Sequence, residues 1–297
     1  MASIGALKSS LAKRALRHIL RWASGHPEIC LHDPKAGERP EVRLGLPHQV
    51  QLGGLALFLE IENMRQYKRW RSARAALEQV RRGECGPLDP IGWLAQHAGE
   101  NDVLYDVGAN VGIFTTLACA VAPGIRVLSF EPEPNSFLQL CRLIRRNGLN
   151  AIPYPFAISD GIWVDRFFVN RNFEAGLSQH QFGRTVDYAG NDFVPDFAFG
   201  AAAFPVDVLV QDHGLPAPTI VKIDVDGLEP RVIAGMEKVI DAGTIHTLIV
   251  EVCDAETGRK LADHLGGKRY RCPVPESEFR PEGSFDLYFR HETAIGD

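Results

Sequence analysis

No apolar run in this chain comes near the roughly twenty residues that a membrane-spanning helix needs. The N-terminus also lacks the uninterrupted apolar stretch of a signal peptide. Paired cysteines are missing as well. The six present are Cys30, Cys85, Cys119, Cys141, Cys253 and Cys272, with no Cys-x-x-Cys spacing. That argues against a disulfide framework or a zinc site and for buried, reduced thiols. Strong net charge is absent too: at −5 the surface is not built wholly for nucleic acid. With 23% charged residues the chain is neither an acidic disordered tail nor a coiled coil. The expectation is a soluble, cytoplasmic globular protein. Its 297 residues, 45% of them hydrophobic, suffice for one large α/β core with attachments or for two modest domains.

Three regions differ in character. Residues 1–100 are expected to form a helical accessory region. Ile4, Leu7, Leu11, Ala15 and Ile19 recur at helical spacing among Lys8, Lys13, Arg14, Arg17 and Arg21, and no acid precedes Glu28. Four prolines within 26–48 predict extended or looped chain, and the basic stretch 64–82 predicts a second helix. From 101 onward, apolar runs at 103–105, 126–130, 151–157, 219–225 and 247–252 alternate with helical segments at 113–121, 135–147 and 228–242. This pattern predicts βαβ units and a mostly parallel sheet covered on both faces. An irregular insertion is expected over 161–205, and an antiparallel pair at 269–274 and 285–290.

The richest segment is Asp106-Val107-Gly108-Ala109-Asn110-Val111-Gly112, where the first strand meets the first helix of that alternation. Parallel sheets bind ligands at the carboxyl ends of their strands, near the point where strand order reverses, and glycine lets backbone approach a ligand closely. A pyrophosphate cradle wants Gly-x-Gly-x-x-Gly, but Asn110 stands where the middle glycine would be. Asp106 would also repel a phosphate. Glu131, in Ser129-Phe130-Glu131-Pro132 at the tip of the second strand, is placed to accept both hydroxyls of a ribose. Together these favour an adenosine ligand without phosphates, a description that S-adenosylmethionine fits. The blander alternatives are a helix cap for Asp106 and a surface acid for Glu131.

A second cluster is Val221-Lys222-Ile223-Asp224-Val225-Asp226-Gly227-Leu228-Glu229. Alternation along a strand puts Lys222, Asp224 and Asp226 on one side, costly in a buried strand unless the groups are paired or used. Glu229 falls in the first turn of the next helix, where a carboxylate suits the dipole. A hydroxyl is a poor nucleophile at neutral pH and needs a positioned base. Asp224 is the first candidate and Asp226 the second, with Glu229 close by; Glu251, at the tip of the following strand, could serve instead or position substrate. The blander reading has Lys222 paired with an internal acid and Glu229 capping. Asp224, Asp226 and Glu251 could bind a divalent cation, but no spaced ligand set demands one and no metal is assigned.

These motifs, in this order, resemble the FkbM-type methyltransferases, class I enzymes that use S-adenosylmethionine, over roughly 101–255. The resemblance implies a Rossmann-like, mostly parallel sheet with a C-terminal antiparallel hairpin in a methyltransferase domain spanning 101–297. It implies that Asp106, Gly108, Asn110 and Gly112 line the methionine end of the cofactor. Glu131 would hold the ribose, Ala157, Ile158 and Ser159 would lie near the adenine, and Ala109, Thr115 and Pro132 would also belong to the cofactor site. Val206-Asp207 is similar to the family's Leu-Asp element. Two departures stand out: Asp226 where the family usually has Glu, and Pro205 where it usually has Thr. The implied reaction is O-methylation of a sugar or natural-product hydroxyl, not of nucleic acid. A nicotinamide-dependent sugar oxidoreductase is the weaker alternative.

Ten of the chain's 26 aromatic residues fall in 161–205, a segment expected either to stack on a sugar ring or to anchor the insertion. Arg166, Arg171, His180 and Arg184 lie among them, suited to an acidic substituent. The basic N-terminal helix has three readings: a peripheral contact with an anionic membrane face, a contact in a homo-oligomer, or a solvated helix.

Overall fold

The computed structural model describes residues 48–52, 55–59, 61, 63–84, 86, 88–169, 180–186 and 191–294. The basic helix expected near the N-terminus lies outside them. The described chain opens on a hairpin, β1 (His48–Leu52) and β2 (Leu55–Leu59), followed by α1 (Met64–Arg82) and α2 (Pro90–His97). Asn63 caps α1 by accepting from the backbone N–H groups of Arg65 and Gln66, and Asp89 caps α2 in the same way. The alternation follows as β3 (Val103–Val107), α3 (Ile113–Val121), β4 (Arg126–Phe130), α4 (Pro134–Asn147) and β5 (Ala151–Tyr154). The chain then leaves this layer for β6 (Ala157–Ile158), β7 (Trp163–Val169), β8 (Gln181–Phe182) and β9 (Phe197–Phe204). It returns through α5 (Val206–Gln211), β10 (Ile220–Ile223), α6 (Glu229–Ala234), α7 (Glu237–Asp241), β11 (Thr247–Val252) and α8 (Ala255–Gly267), ending in β12 (Tyr270–Arg271) and β13 (Phe285–His291).

Seven strands form the central sheet in the order β12-β13-β11-β10-β3-β4-β5. Only β13 runs antiparallel to its neighbours, β11 and β12. This is the Rossmann-like sheet with a C-terminal antiparallel hairpin that the sequence predicts. Its strands bury both faces: Leu104, Tyr105, Val127, Leu128, Ile220, Val221, Leu248 and Val250 are all inaccessible, as sheets covered by helices require. Strand order reverses between β3 and β10, which puts the glycine turn at the switch point.

Three expectations need correction. The third strand does not run to 157: it ends at Tyr154, and Ala157–Ile158 pairs with β9 in a separate four-stranded sheet, β6-β9-β7-β8. The 161–205 insertion is not irregular, because β7 and β9 pair over seven residues. The helix expected over 228–242 breaks at Gly235. A Cβ there would sit 2.0 Å from the Ser159 carbonyl oxygen, and Asp207 restarts the helix by accepting from the backbone N–H groups of Lys238 and Val239. Among the described residues no helix is long and apolar enough to cross a membrane.

Candidate active site

A cleft of about 120 Å³, open to solvent, lies over the carboxyl ends of β3, β4 and β10. Gly108, Asn110, Glu131 and Pro132 line it from the β3–β4 side, and Asp224, Val225, Asp226 and Leu228 from the β10 side. The small sheet adds Ala157, Ile158, Phe167 and Phe182, with His180 just before it, and α1 contributes Arg69. Three non-glycine residues among those described have positive φ, and two of them, Asn110 (51°) and Asp226 (53°), are in this cleft. Backbone strain of this kind gathers at functional sites.

Glu131 is fixed at both oxygens: one accepts from the Asn110 backbone N–H at 2.8 Å, the other from that of Glu133 at 2.7 Å. Burial pushes its carboxyl up to about 8, against the pull of those two donors. The turn itself is held by close backbone contact, since a Cβ on Gly108 would meet the Asp224 carbonyl oxygen at 1.9 Å.

Behind the turn stands a buried polar group. Asp106 is fully buried and accepts from the Thr115 hydroxyl at 2.6 Å. Its other oxygen has no hydrogen-bond donor. Lys222, its neighbour across the β3–β10 ladder, places Nζ 3.6 Å from Asp106 and 3.0 Å from Asp224. Burial works against that ammonium, but Asp224 and Asp106 hold it above the ordinary lysine range. The Asp106 carboxyl is itself pushed up by burial, with Lys222 and Thr115 opposing.

Several candidates stand away from the cleft wall. Gly112 packs against α4, where a Cβ would meet Leu140 and Leu143 at 2.7 Å. Ala109 packs with Leu140 and Ile144. Thr115 supports Asp106, and Ser159 is buried with its hydroxyl on Asp160. Glu229 is buried at the start of α6, one oxygen accepting from the Gly227 backbone N–H and the other without a donor. Burial pushes its carboxyl up to about 7. Sequence reasoning missed Arg69, which only tertiary packing brings to the cleft. Phe167 and Phe182 line the cleft and also pack within the insertion. Phe173, Tyr188 and Arg171 lie outside the described residues. Among the described residues, no three His, Cys, Asp or Glu side chains are arranged to hold a metal ion.

The chemistry of this donor set fits an S-adenosyl ligand: a carboxylate held open for a diol, an apolar slot at Pro132, Ala157 and Ile158, and acidic surroundings without a phosphate cradle. Residues 106–272 match the family model described as the methyltransferase FkbM domain. The hexuronic acid methyltransferase AglP of Haloferax volcanii is 27% identical over 206 residues, 69% of this chain and 74% of that protein. The 31-O-demethyl-FK506 methyltransferase FkbM of Streptomyces tacrolimicus is 29% identical over 174 residues, 52% of this chain and 66% of that protein. A solved methyltransferase FkbM from Methylobacillus flagellatus aligns over 95% of this chain and 72% of that one, at 16% identity and a TM-score of 0.46. With the family model spanning more than half its length, the chain belongs to the FkbM methyltransferase family.

Proposed function

We propose that this methyltransferase moves a methyl group from S-adenosylmethionine to a hydroxyl of a sugar in a glycan or glycoconjugate. The observation that carries the reading is the placement of Glu131 and Asp224 in one cleft on either side of the switch point. Glu131 would hold the ribose, Gly108 and Asn110 the methionine end, and Pro132, Ala157 and Ile158 the adenine. S-adenosylmethionine, when bound, supplies a methyl group on a sulfonium, the carbon–sulfur pair staying with sulfur. Asp224 is the base, taking the proton of the acceptor hydroxyl. Lys222, 3.0 Å away, fixes its direction and balances its charge. The aromatic side chains Phe167 and Phe182 narrow the cleft, exclude water and offer faces for a sugar ring.

Support for a sugar acceptor comes from the name of the Haloferax volcanii relative. The Streptomyces tacrolimicus relative, named for a demethyl-FK506 substrate, favours a second reading, methylation of a natural-product hydroxyl. A methyl-transfer assay over neutral and acidic sugar glycosides, with macrolide alcohols alongside, separates the two. In that assay Asp224→Asn is expected to abolish turnover while S-adenosylhomocysteine affinity by calorimetry stays within a few-fold. Normal turnover would remove Asp224 as the base.

A further inference from the structure

The turn that follows Asp224 is held from outside by a strand of the insertion. Asp226 and Gly227 both have positive φ, 53° and 93°, a conformation that an aspartate keeps only where its surroundings enforce it. The enforcement falls on the single peptide between them. Its carbonyl, on Asp226, accepts from the Gln181 side-chain amide at 2.8 Å, and its N–H, on Gly227, donates to the Glu229 carboxylate at 2.9 Å. Gln181 is inaccessible and Glu229 nearly so, so both partners act from the interior. A return of Asp226 to negative φ would turn that peptide and break both bonds.

Gln181 is itself keyed. A guanidinium only donates, so the Gln181 atom that Arg184 Nε meets at 3.0 Å is the amide oxygen, and the amide nitrogen is thereby turned to Asp226. Arg184 also reaches the Gly227 carbonyl, at 3.4 Å. The strand carrying Gln181 is fixed in turn. Phe168 pairs with Gln181 and Phe167 with Phe182 across β7 and β8, and the Gly183 backbone N–H donates to the Arg166 carbonyl at 2.8 Å. Phe182, the next residue along, lines the cleft together with Asp224 and Asp226. One short strand therefore sets both an aromatic wall of the cleft and its acidic turn.

We propose that Gln181 is a positioning residue of the acceptor site: with Glu229 it pins the Asp226-Gly227 peptide, and so holds the acidic turn where Asp224 meets the acceptor hydroxyl. Arg184 acts through Gln181, orienting its amide, and is engaged with the protein instead of with a substituent of the substrate. Glu131, Gly108 and Asn110 line the cleft from the β3–β4 side, so the effect of Gln181 falls on turnover and not on S-adenosyl binding. The proposal rests on the reading of Asp224 as the base.

The first test needs no acceptor. The chain contains two Asp-Gly peptides, Asp160-Gly161 and Asp226-Gly227. Labelling the full chain with ¹³C-carbonyl aspartate and ¹⁵N-glycine therefore gives two correlated signals, and Asp160→Asn assigns them by removing one. Gln181→Met keeps the volume and loses the donor. In it the Asp226-Gly227 signal is expected to shift and its amide to exchange at least about tenfold faster, as loss of one hydrogen bond allows. The Asp160-Gly161 signal should stay in place. Arg184→Ala, a change at an exposed side chain, should move the Asp226-Gly227 signal the same way by less, and it decides alone if Gln181→Met does not fold. A signal unmoved in the variants that fold overturns the proposal. The second test uses whichever sugar glycoside the assay above identifies. Gln181→Met is expected to lower kcat about tenfold, the value of one well-placed hydrogen bond, with acceptor KM and S-adenosylhomocysteine affinity within about twofold. Gln181→Glu, whose carboxylate accepts from Arg184 but has no hydrogen for Asp226, should lose as much. A normal kcat, or an equal loss of S-adenosylhomocysteine affinity, would reduce Gln181 to structural support and overturn the assignment. Should Asp224→Asn keep normal turnover, or no acceptor in the panel be methylated, the functional reading fails while the two signals still decide whether Gln181 pins the turn.

Discussion

At Gly108 a methyl group is the whole difference between an intact site and a broken one. The residue has φ 78°, a left-handed conformation that costs an L side chain about 1–2 kcal/mol. Its Cβ would lie inside the Asp224 carbonyl, an overlap worth about 1–3 kcal/mol more once the strands part. Gly108→Ala should therefore lower the melting temperature by several degrees and weaken S-adenosylhomocysteine binding at the same time. A variant with both properties intact would show that the turn and the end of β10 need not touch. Glu229 makes a different demand. Its folded carboxyl titrates near 7, above the value of about 4.5 for an exposed glutamate. Below that lower value both states are protonated and it contributes no pH dependence. Through the window up to about 7 only the unfolded chain ionises, so the folded state progressively loses ground, by about 3 kcal/mol at the alkaline end. Glu229→Gln removes this term and should flatten the fall of melting temperature between pH ~5 and ~8. Parallel curves for the two proteins would rule the burial cost out.

Elements carry their own lesson. Glu131-Pro132-Glu133-Pro134 packs two tasks into four residues: Glu131 faces the cleft, and Glu133 caps α4. The Glu133 carboxylate accepts from the Asn135 backbone N–H at 3.0 Å and from that of Ser136 at 2.7 Å, and Pro134 takes the first helical position, where no N–H is needed. Glu133→Ala should cost about 1–2 kcal/mol, a melting shift of roughly 2–6 °C. Glu78→Ala, which breaks an exposed pair with Arg74 on α1, should shift it by less than about 2 °C; equal shifts would deny the cap its role. The central strands were legible in the sequence because burial on both faces demands apolar runs such as Val103-Leu104-Tyr105 and Leu248-Ile249-Val250. The insertion sheet was not legible. β9 reads Phe-Ala-Phe-Gly-Ala-Ala-Ala-Phe, rich in weak strand formers, and it becomes a strand only because β7 lies alongside it. The β1–β2 hairpin did carry a signal, Gly53-Gly54 between the alternating His48–Leu52 and the apolar Leu55–Leu59, that the proline-rich stretch before it obscured. Glu131 and Asp224 could be named from strand-tip position alone. Arg69 could not, since it reaches the cleft through packing between segments distant in sequence.

Across the whole molecule the cleft is lined by ends of the central sheet, by the small sheet and by α1, so a ligand in it adds contacts between all three. Any ligand that binds the folded chain alone adds about 2.7 kcal/mol at a hundred times its dissociation constant, and here about 4–8 °C in melting temperature. Glu131 makes that gain depend on pH in a direction opposite to the stability of the free protein. Its folded carboxyl titrates near 8, so the free protein loses stability from about pH 4.5 upward as the unfolded state ionises first, and the loss is complete only above about 8. If Glu131 holds the ribose as proposed, however, the ionised carboxylate is the form that would accept both hydroxyls, so affinity for S-adenosylhomocysteine should grow as pH rises through about 8. Melting curves taken with and without S-adenosylhomocysteine from pH ~6 to ~9 are then expected to diverge, the free protein falling while the ligand-induced shift widens. In Glu131→Gln both trends should weaken together: a flatter curve for the free protein, and a small shift that no longer changes with pH. A ligand shift that stays constant with pH in the wild type would mean that the Glu131 carboxylate does not bind the ribose.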